Sequence, residues 1–346
     1  MRSSPPAGFP LAVLVYHPDY HRHTQAPNHA ESPKRLEAIV AKLEAEGLMP
    51  DYTVPAPAPE DLVLSVHDRD YVDLLRNMGE GYLDMDTYVH RETFALALLS
   101  AGGAITAARS AEASGKPAVA LVRPPGHHAG PNHGGGFCYL NNVAIAAVDL
   151  LKRVPRVAIL DYDAHHGNGT EEIFIGDPRV VYVSTHQYGI FPGTGAAEVI
   201  GEGEARGHIV NIPFPARAGD TSFEAAYRVL VDPVVRQFKP SAILVSFGID
   251  AHYKDPITSL TLSSPGYVRL ADWTMDLARE VCGGRIAFVL EGGYHPLAIS
   301  EVVAGVVSAT AGRSLHLQYG EVYDQNERGR DAVEKSRSLH RDYWDL

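Results

Sequence analysis

The sequence predicts a single α/β domain with a doubly wound, mostly parallel sheet. Three observations carry that prediction. Short apolar runs recur along the chain, at residues 157–160, 242–245 and 286–290, and suit strands buried on both faces. Helical patterns rich in small residues lie between them. No long linker or internal repeat breaks the alternation.

Residues 11–16 form the first expected strand. It empties into a polar loop with His17, Asp19, His21, Arg22, His23 and His29, whose spacing is not that of metal ligands, so it reads as solvated, at a pocket rim. Ser32 followed by Pro33 opens a helix, with Leu36, Ile39, Val40 and Leu43 at helical spacing. A Pro-rich connector leads to a short helical segment at 71–75. The stretch GYLDMDTYVHRET reads as a loop with Asp84 and Asp86 on the surface. Residues 94–114 form a long helix of small side chains, able to approach a sheet closely. Further strands are expected at 118–122 and 180–183, and further helices near 141–152, 222–237, 266–281 and 298–311. The catalytic domain thus spans 1–346, with its core at about 12–312 and a charged surface extension at 314–346.

Of the 346 residues, 45% are hydrophobic, enough for a sizeable core. A net charge of -12 and the lack of a basic patch exclude direct nucleic-acid binding, while an acidic surface favours a cationic ligand. Two cysteines, Cys138 and Cys282, exclude a disulfide framework and fit a reducing compartment. The apolar run near the N-terminus is too short for a membrane span, so a soluble, cytoplasmic protein is expected.

The chemistry sits at the strand ends. The run VAIL at 157–160 leads into Asp161, Asp163, His165, His166 and Asn168. Residues two apart in an extended chain face the same way, so Asp163 and His165 can share one ion, and this donor pair suits zinc or ferrous iron. Asp250, at the end of AILVSFGID, is the natural third ligand. Two Asp and one His leave room for water and substrate, as in a catalytic site. His127 and His128 lie in a Gly/Pro-rich loop and, as neighbours in an extended segment, should diverge and do different jobs. Asp161 and Asn168 are available to set an imidazole tautomer. Tyr294, after two glycines, can polarise a carbonyl opposite the metal. Together these parts make a metal-assisted amide hydrolase, and no nucleophile-elbow, P-loop or dinucleotide signature competes.

The segments RPPGHHAGPNHGGGFCYLNN, ILDYDAHHGNGT, SFGIDAHYKDP and EGGY resemble the zinc-dependent histone deacetylase family and its bacterial relatives, including acetylpolyamine amidohydrolases. The resemblance implies the arginase-deacetylase fold, with a parallel sheet of about eight strands flanked by helices. It implies Asp163, His165 and Asp250 as ligands of Zn2+, with Fe2+ an alternative. It pairs His127 with Asp161 and His128 with Asn168, and makes Tyr294 the residue that stabilises the transition state. Asn168 looks like the class II branch and bacterial members. Phe137 matches an aromatic wall of an acyl-lysine tunnel, Gly136 resembles the residue whose carbonyl accepts the substrate amide N–H, and Asp84 or Asp86 loosely matches a rim residue that grips the substrate backbone. A structural K+ is implied at Asp161, Asp163, His165, Ser184 and Thr185.

The implied substrate is acyl-lysine in a protein or peptide, or an acetylated polyamine or other small amine. Two departures weaken the polyamine reading. The region before the central helix is short, and Ile257 follows Asp255-Pro256 where eukaryotic polyamine deacetylases place Glu. The acidic chain and the SFGID wording favour it. An arginase-like enzyme would want a carboxylate where Gly167 stands. A non-catalytic acyl-lysine or metabolite binder would be expected to lose Tyr294 or a ligand, and this chain keeps both. A homo-oligomer is compatible with the sequence.

Overall fold

Seven parallel strands form the central sheet of the computed structural model, which describes residues 12–322 and 328–346. In chain order they are β1 (Val13–Val15), β4 (Ala118–Ala120), β5 (Val157–Asp161), β6 (Val180–Gln187), β7 (Ile209–Phe214), β8 (Ala242–Phe247) and β9 (Ile286–Leu290). Between β1 and β4 lies a separate antiparallel ribbon, β2 (Gly81–Tyr82) and β3 (Tyr88–Val89). The sheet order is β1-β4-β9-β8-β5-β6-β7. The described sheet therefore has seven strands rather than about eight. Leu11, expected in the first strand, lies outside the described residues.

Strands β5, β8 and β9 are buried along their whole length, as Val/Ile/Leu runs in a parallel sheet require. Helices cover both sides. Thr93–Ser114 packs on Asn142–Leu151, while Pro33–Ala45 packs on Pro296–Thr310, which in turn meets Ser264–Cys282. Thr93–Ser114 is long and apolar enough to cross a membrane by length and composition, but two-thirds of its apolar window is buried within the fold. Its small residues have a steric cause: a Cβ on Gly102 would stand 1.9 Å from the Ala56 carbonyl oxygen.

Strand β7 has no counterpart among the expected elements. Pro213 interrupts its pattern, and proline cannot donate to a ladder on both sides. The structure resolves the conflict by placing β7 at the sheet edge. The helix expected near 222–237 forms as Asp220–Ala226 and Asp232–Phe238, joined by a π-helical turn at Tyr227–Val231 just before Pro233. In the C-terminal extension, Arg330–His340 is a surface helix whose inner face is buried. Ser336 Oγ donates to Asn211 O (2.6 Å), and His340 Nε2 lies 2.7 Å from Ile209 O, so this helix covers edge strand β7.

Candidate active site

The expected donor residues gather beyond the carboxyl ends of β5, β8 and β9, where open α/β sheets bind ligands. Asp163, His165 and Asp250 are buried, with one donor atom from each within 4.8 Å of the other two. His165 Nδ1 stands 2.9 Å from Asp250 Oδ2 and 3.2 Å from Asp163 Oδ1. Gly292 N donates to Asp163 Oδ2 (2.9 Å) and Ala164 N to Asp250 Oδ1 (2.7 Å), which fixes both carboxylates. Burial and the neighbouring Asp163 push the Asp250 carboxyl up to about 6. Burial works to lower His165, but Asp250 and Asp163 hold it up to about 10. The cluster concentrates negative charge in a low-dielectric place and so attracts a cation. Two carboxylates and an imidazole fit a divalent metal of the zinc or ferrous kind.

His127 and His128 do not diverge. They occupy a turn closed by Ala129 N donating to Gly126 O, and their rings lie side by side with centroids 4.0 Å apart. Each still has its own partner. His127 Nδ1 is 3.1 Å from Asp161 Oδ2, and His128 Nδ1 is 2.9 Å from Asn168 Oδ1. Burial works to lower His127, yet Asp163 and Asp161 hold it up to about 10. Burial and the charge of His127 push His128 well below the usual histidine range. Only His128 of the two lines the pocket.

That pocket has a volume of about 530 Å³. Its deep end meets His128, His165 and Tyr294, its walls include Gly136, Phe137 and Phe191, and its mouth is bordered by Met85, Asp86 and Ile257. The ribbon β2–β3 shapes this mouth, so Asp84 and Asp86 belong to the site rather than to general surface. Asp84 Oδ2 accepts from Gly136 N (2.8 Å), and Thr87 Oγ1 accepts from Phe137 N (2.9 Å). These bonds hold Gly136 (φ +54) and Phe137 (φ +70) in left-handed conformations that turn the wall inward.

Tyr294 is 9% exposed and meets Phe137 edge-on at 5.7 Å. Its loop rests on Arg35, whose Nε donates to Gly293 O (2.6 Å), whose Nη2 donates to Glu291 O, and whose guanidinium lies 5.0 Å over the Tyr294 ring. Glu31 binds both Arg35 and Arg123 in a fully buried cluster. The polar N-terminal loop is correspondingly less solvated than expected: His23 is buried beside Glu31, and His29 packs edge-on against Phe137 at 4.5 Å. Of the residues expected around potassium, Ser184 pairs with Asp161 across β5 and β6, and Thr185 Oγ1 donates to the Asp161 carbonyl (3.3 Å).

Sequence reasoning missed Glu31, Arg35, Thr87 and Phe191. Glu31 and Arg35 read as ordinary charges at a helix start, and Thr87 as one more polar loop residue. Phe191 carried a signal, since it lies in a Gly/Pro-containing loop just beyond the end of β6.

A parallel sheet carrying this group of residues defines a deacetylase-type hydrolase. Residues 29–310 match the histone deacetylase domain. The chain is 40% identical to a "Probable deacetylase" of Archaeoglobus fulgidus, over 96% of this chain and 98% of that protein. It is 37% identical to "Histone deacetylase 14, chloroplastic" of Arabidopsis thaliana, over 90% of this chain and 81% of that one. Among solved structures, the "HDA15 HD domain" superposes with a TM-score of 0.87 at 30% identity, covering 97% of this chain and 95% of that chain. The chain belongs to the histone deacetylase family.

Proposed function

We propose that this protein hydrolyses the acyl amide of acyl-lysine side chains in proteins or peptides, with a divalent metal, zinc foremost, held by Asp163, His165 and Asp250. The observation that carries this reading is the pocket itself: aromatic walls at Phe137 and Phe191 lead from an exposed mouth to the buried donor group. A linear aliphatic side chain with a terminal amide fits that path. The metal, when bound, supplies Lewis-acid polarisation of the amide carbonyl and a more nucleophilic water at neutral pH.

The protein's own groups do the rest. His128, on the pocket wall, takes the proton from water and returns it to the leaving amine, and Asn168 fixes its ring. His127 stands behind it with Asp161 and stabilises the charge that builds up. The Tyr294 hydroxyl donates to the developing oxyanion. The Gly136 carbonyl receives the substrate N–H, and Asp161, Ser184 and Thr185 are among the residues that would hold a potassium ion, which would stiffen the end of β5.

The mouth favours a peptide over a polyamine. Asp84 is engaged by Gly136 N and Asp86 N, Asp86 pairs with His29 at 3.2 Å, and the residue after Asp255-Pro256 is the apolar, 40% exposed Ile257. Both carboxylates that line the pocket thus already have partners within the protein. The test compares turnover of an acetyl-lysine peptide with that of N-acetylputrescine by the metal-loaded protein. Faster, hydroxamate-sensitive turnover of the peptide is expected; turnover of the diamine alone would overturn the substrate assignment.

A further inference from the structure

Residues Glu291 to Tyr294 cross the site without regular secondary structure, and their backbone is held by neighbours. Arg35 takes the carbonyls of Glu291 and Gly293, Asp163 takes Gly292 N, and Ile249 N donates to Gly292 O at 3.1 Å. Arg35 thus holds the carbonyl side of the Gly293–Tyr294 peptide. Asp255 grips its N–H side, with Oδ2 accepting from Tyr294 N at 2.7 Å. The other carboxylate oxygen accepts from Ile257 N at 3.0 Å, so one buried side chain joins the loop after Asp250 to the loop that ends in Tyr294. Gly293, just before the gripped peptide, has φ +111, a conformation open only to glycine, so no side chain of its own locks that pivot.

We propose that Asp255 is the positioning residue for Tyr294: its carboxylate fixes the peptide that sets where the phenol hydroxyl stands in the pocket. The inference rests on Tyr294 acting as the oxyanion donor. A hydroxyl displaced by about an ångström forfeits most of its effect on the transition state, which corresponds to a loss of up to roughly a hundredfold. Asp255 makes none of the described hydrogen bonds to the donor atoms of Asp163, His165 or Asp250, so its removal should spare metal retention.

The test is a double-mutant cycle on the metal-loaded full chain, reading kcat and KM on an acetyl-lysine peptide together with metal content. Asp255→Ala is expected to lower kcat at least tenfold with metal content unchanged. In a Tyr294→Phe background the same change should cost less than threefold, because the hydroxyl it places is gone. Should Asp255→Ala not fold, Asp255→Asn enters the same cycle: it keeps the volume but sets an amide N–H against one of the two backbone donors, and the same pattern is expected. Equal losses in both backgrounds, or loss of metal, would overturn the proposal alone. A Tyr294→Phe enzyme as fast as the wild type would overturn the role of Tyr294 and this proposal with it.

Discussion

Replacing Glu31 with Gln should cost about 3–5 kcal/mol of stability, the range for breaking a buried ion cluster from one side. Arg123 donates to Glu31 through Nε (2.5 Å) and Nη2 (2.7 Å), and Arg35 through Nη1 (3.0 Å). Glu31 and Arg123 are 0% exposed and Arg35 is 1% exposed. The amide would keep the shape but remove the acidic partner that the two guanidinium groups share. Against a typical total of roughly 5–15 kcal/mol this is a large fraction. Urea unfolding of both proteins at pH 7 reads it as a shift in midpoint at constant m. The acid dependence gives a second reading. Burial works to raise the Glu31 carboxyl, but Arg123 beside it holds it well below the usual carboxylate range. The folded value is thus below the unfolded one, so this stabilisation is complete above about pH 4.3 and is lost as pH falls towards the folded value. The gap between wild type and variant should therefore narrow on acidification. A gap under about 1 kcal/mol at pH 7, or one that does not narrow below pH 4, would refute the reasoning.

Other perturbations have equally definite outcomes. Tyr294→Phe should retain metal and lose roughly a hundredfold or more in kcat, as for removal of one oxyanion donor, and unchanged turnover would remove Tyr294 from the chemistry. Asp250→Ala should lose the metal on dialysis; a variant that keeps a full equivalent by elemental analysis would take Asp250 out of the ligand set. Gly136→Ala places a Cβ 2.5 Å from the His128 ring and 2.6 Å from Phe191, at φ +54, so kcat/KM on a peptide should collapse while metal content stays. Unimpaired turnover there would show that the substrate path does not pass Gly136.

The donor triad was legible because each ligand follows an apolar run that can only be a buried strand, and strand ends are where such folds bind ligands. Asp163 and His165 follow one such run, Asp250 another, and the parallel pairing of β5 with β8 joins them. The histidine pair was legible in identity but not in geometry, since the segment reads as extended whereas a local turn closed by Ala129 N on Gly126 O brings the two rings side by side. The ribbon β2–β3 was hidden because strands of two residues leave no periodic trace. Glu31 and Arg123 are separated by 92 positions, and nothing in either local sequence marks them as partners. The support of Tyr294 by Arg35 and Asp255 was invisible for the same reason: it runs through backbone atoms, which carry no residue-specific signature.

The central claim is that the Asp163–His165–Asp250 group holds a metal that this pocket uses to cleave an acyl-lysine amide. The most direct measurement is release of acetate from an acetyl-lysine peptide by one preparation in two states, stripped with a chelator and then reloaded with one equivalent of zinc. The prediction is negligible release from the stripped protein and restored, hydroxamate-sensitive turnover on reloading. Equal turnover in both states, or none with zinc demonstrably bound, would contradict it.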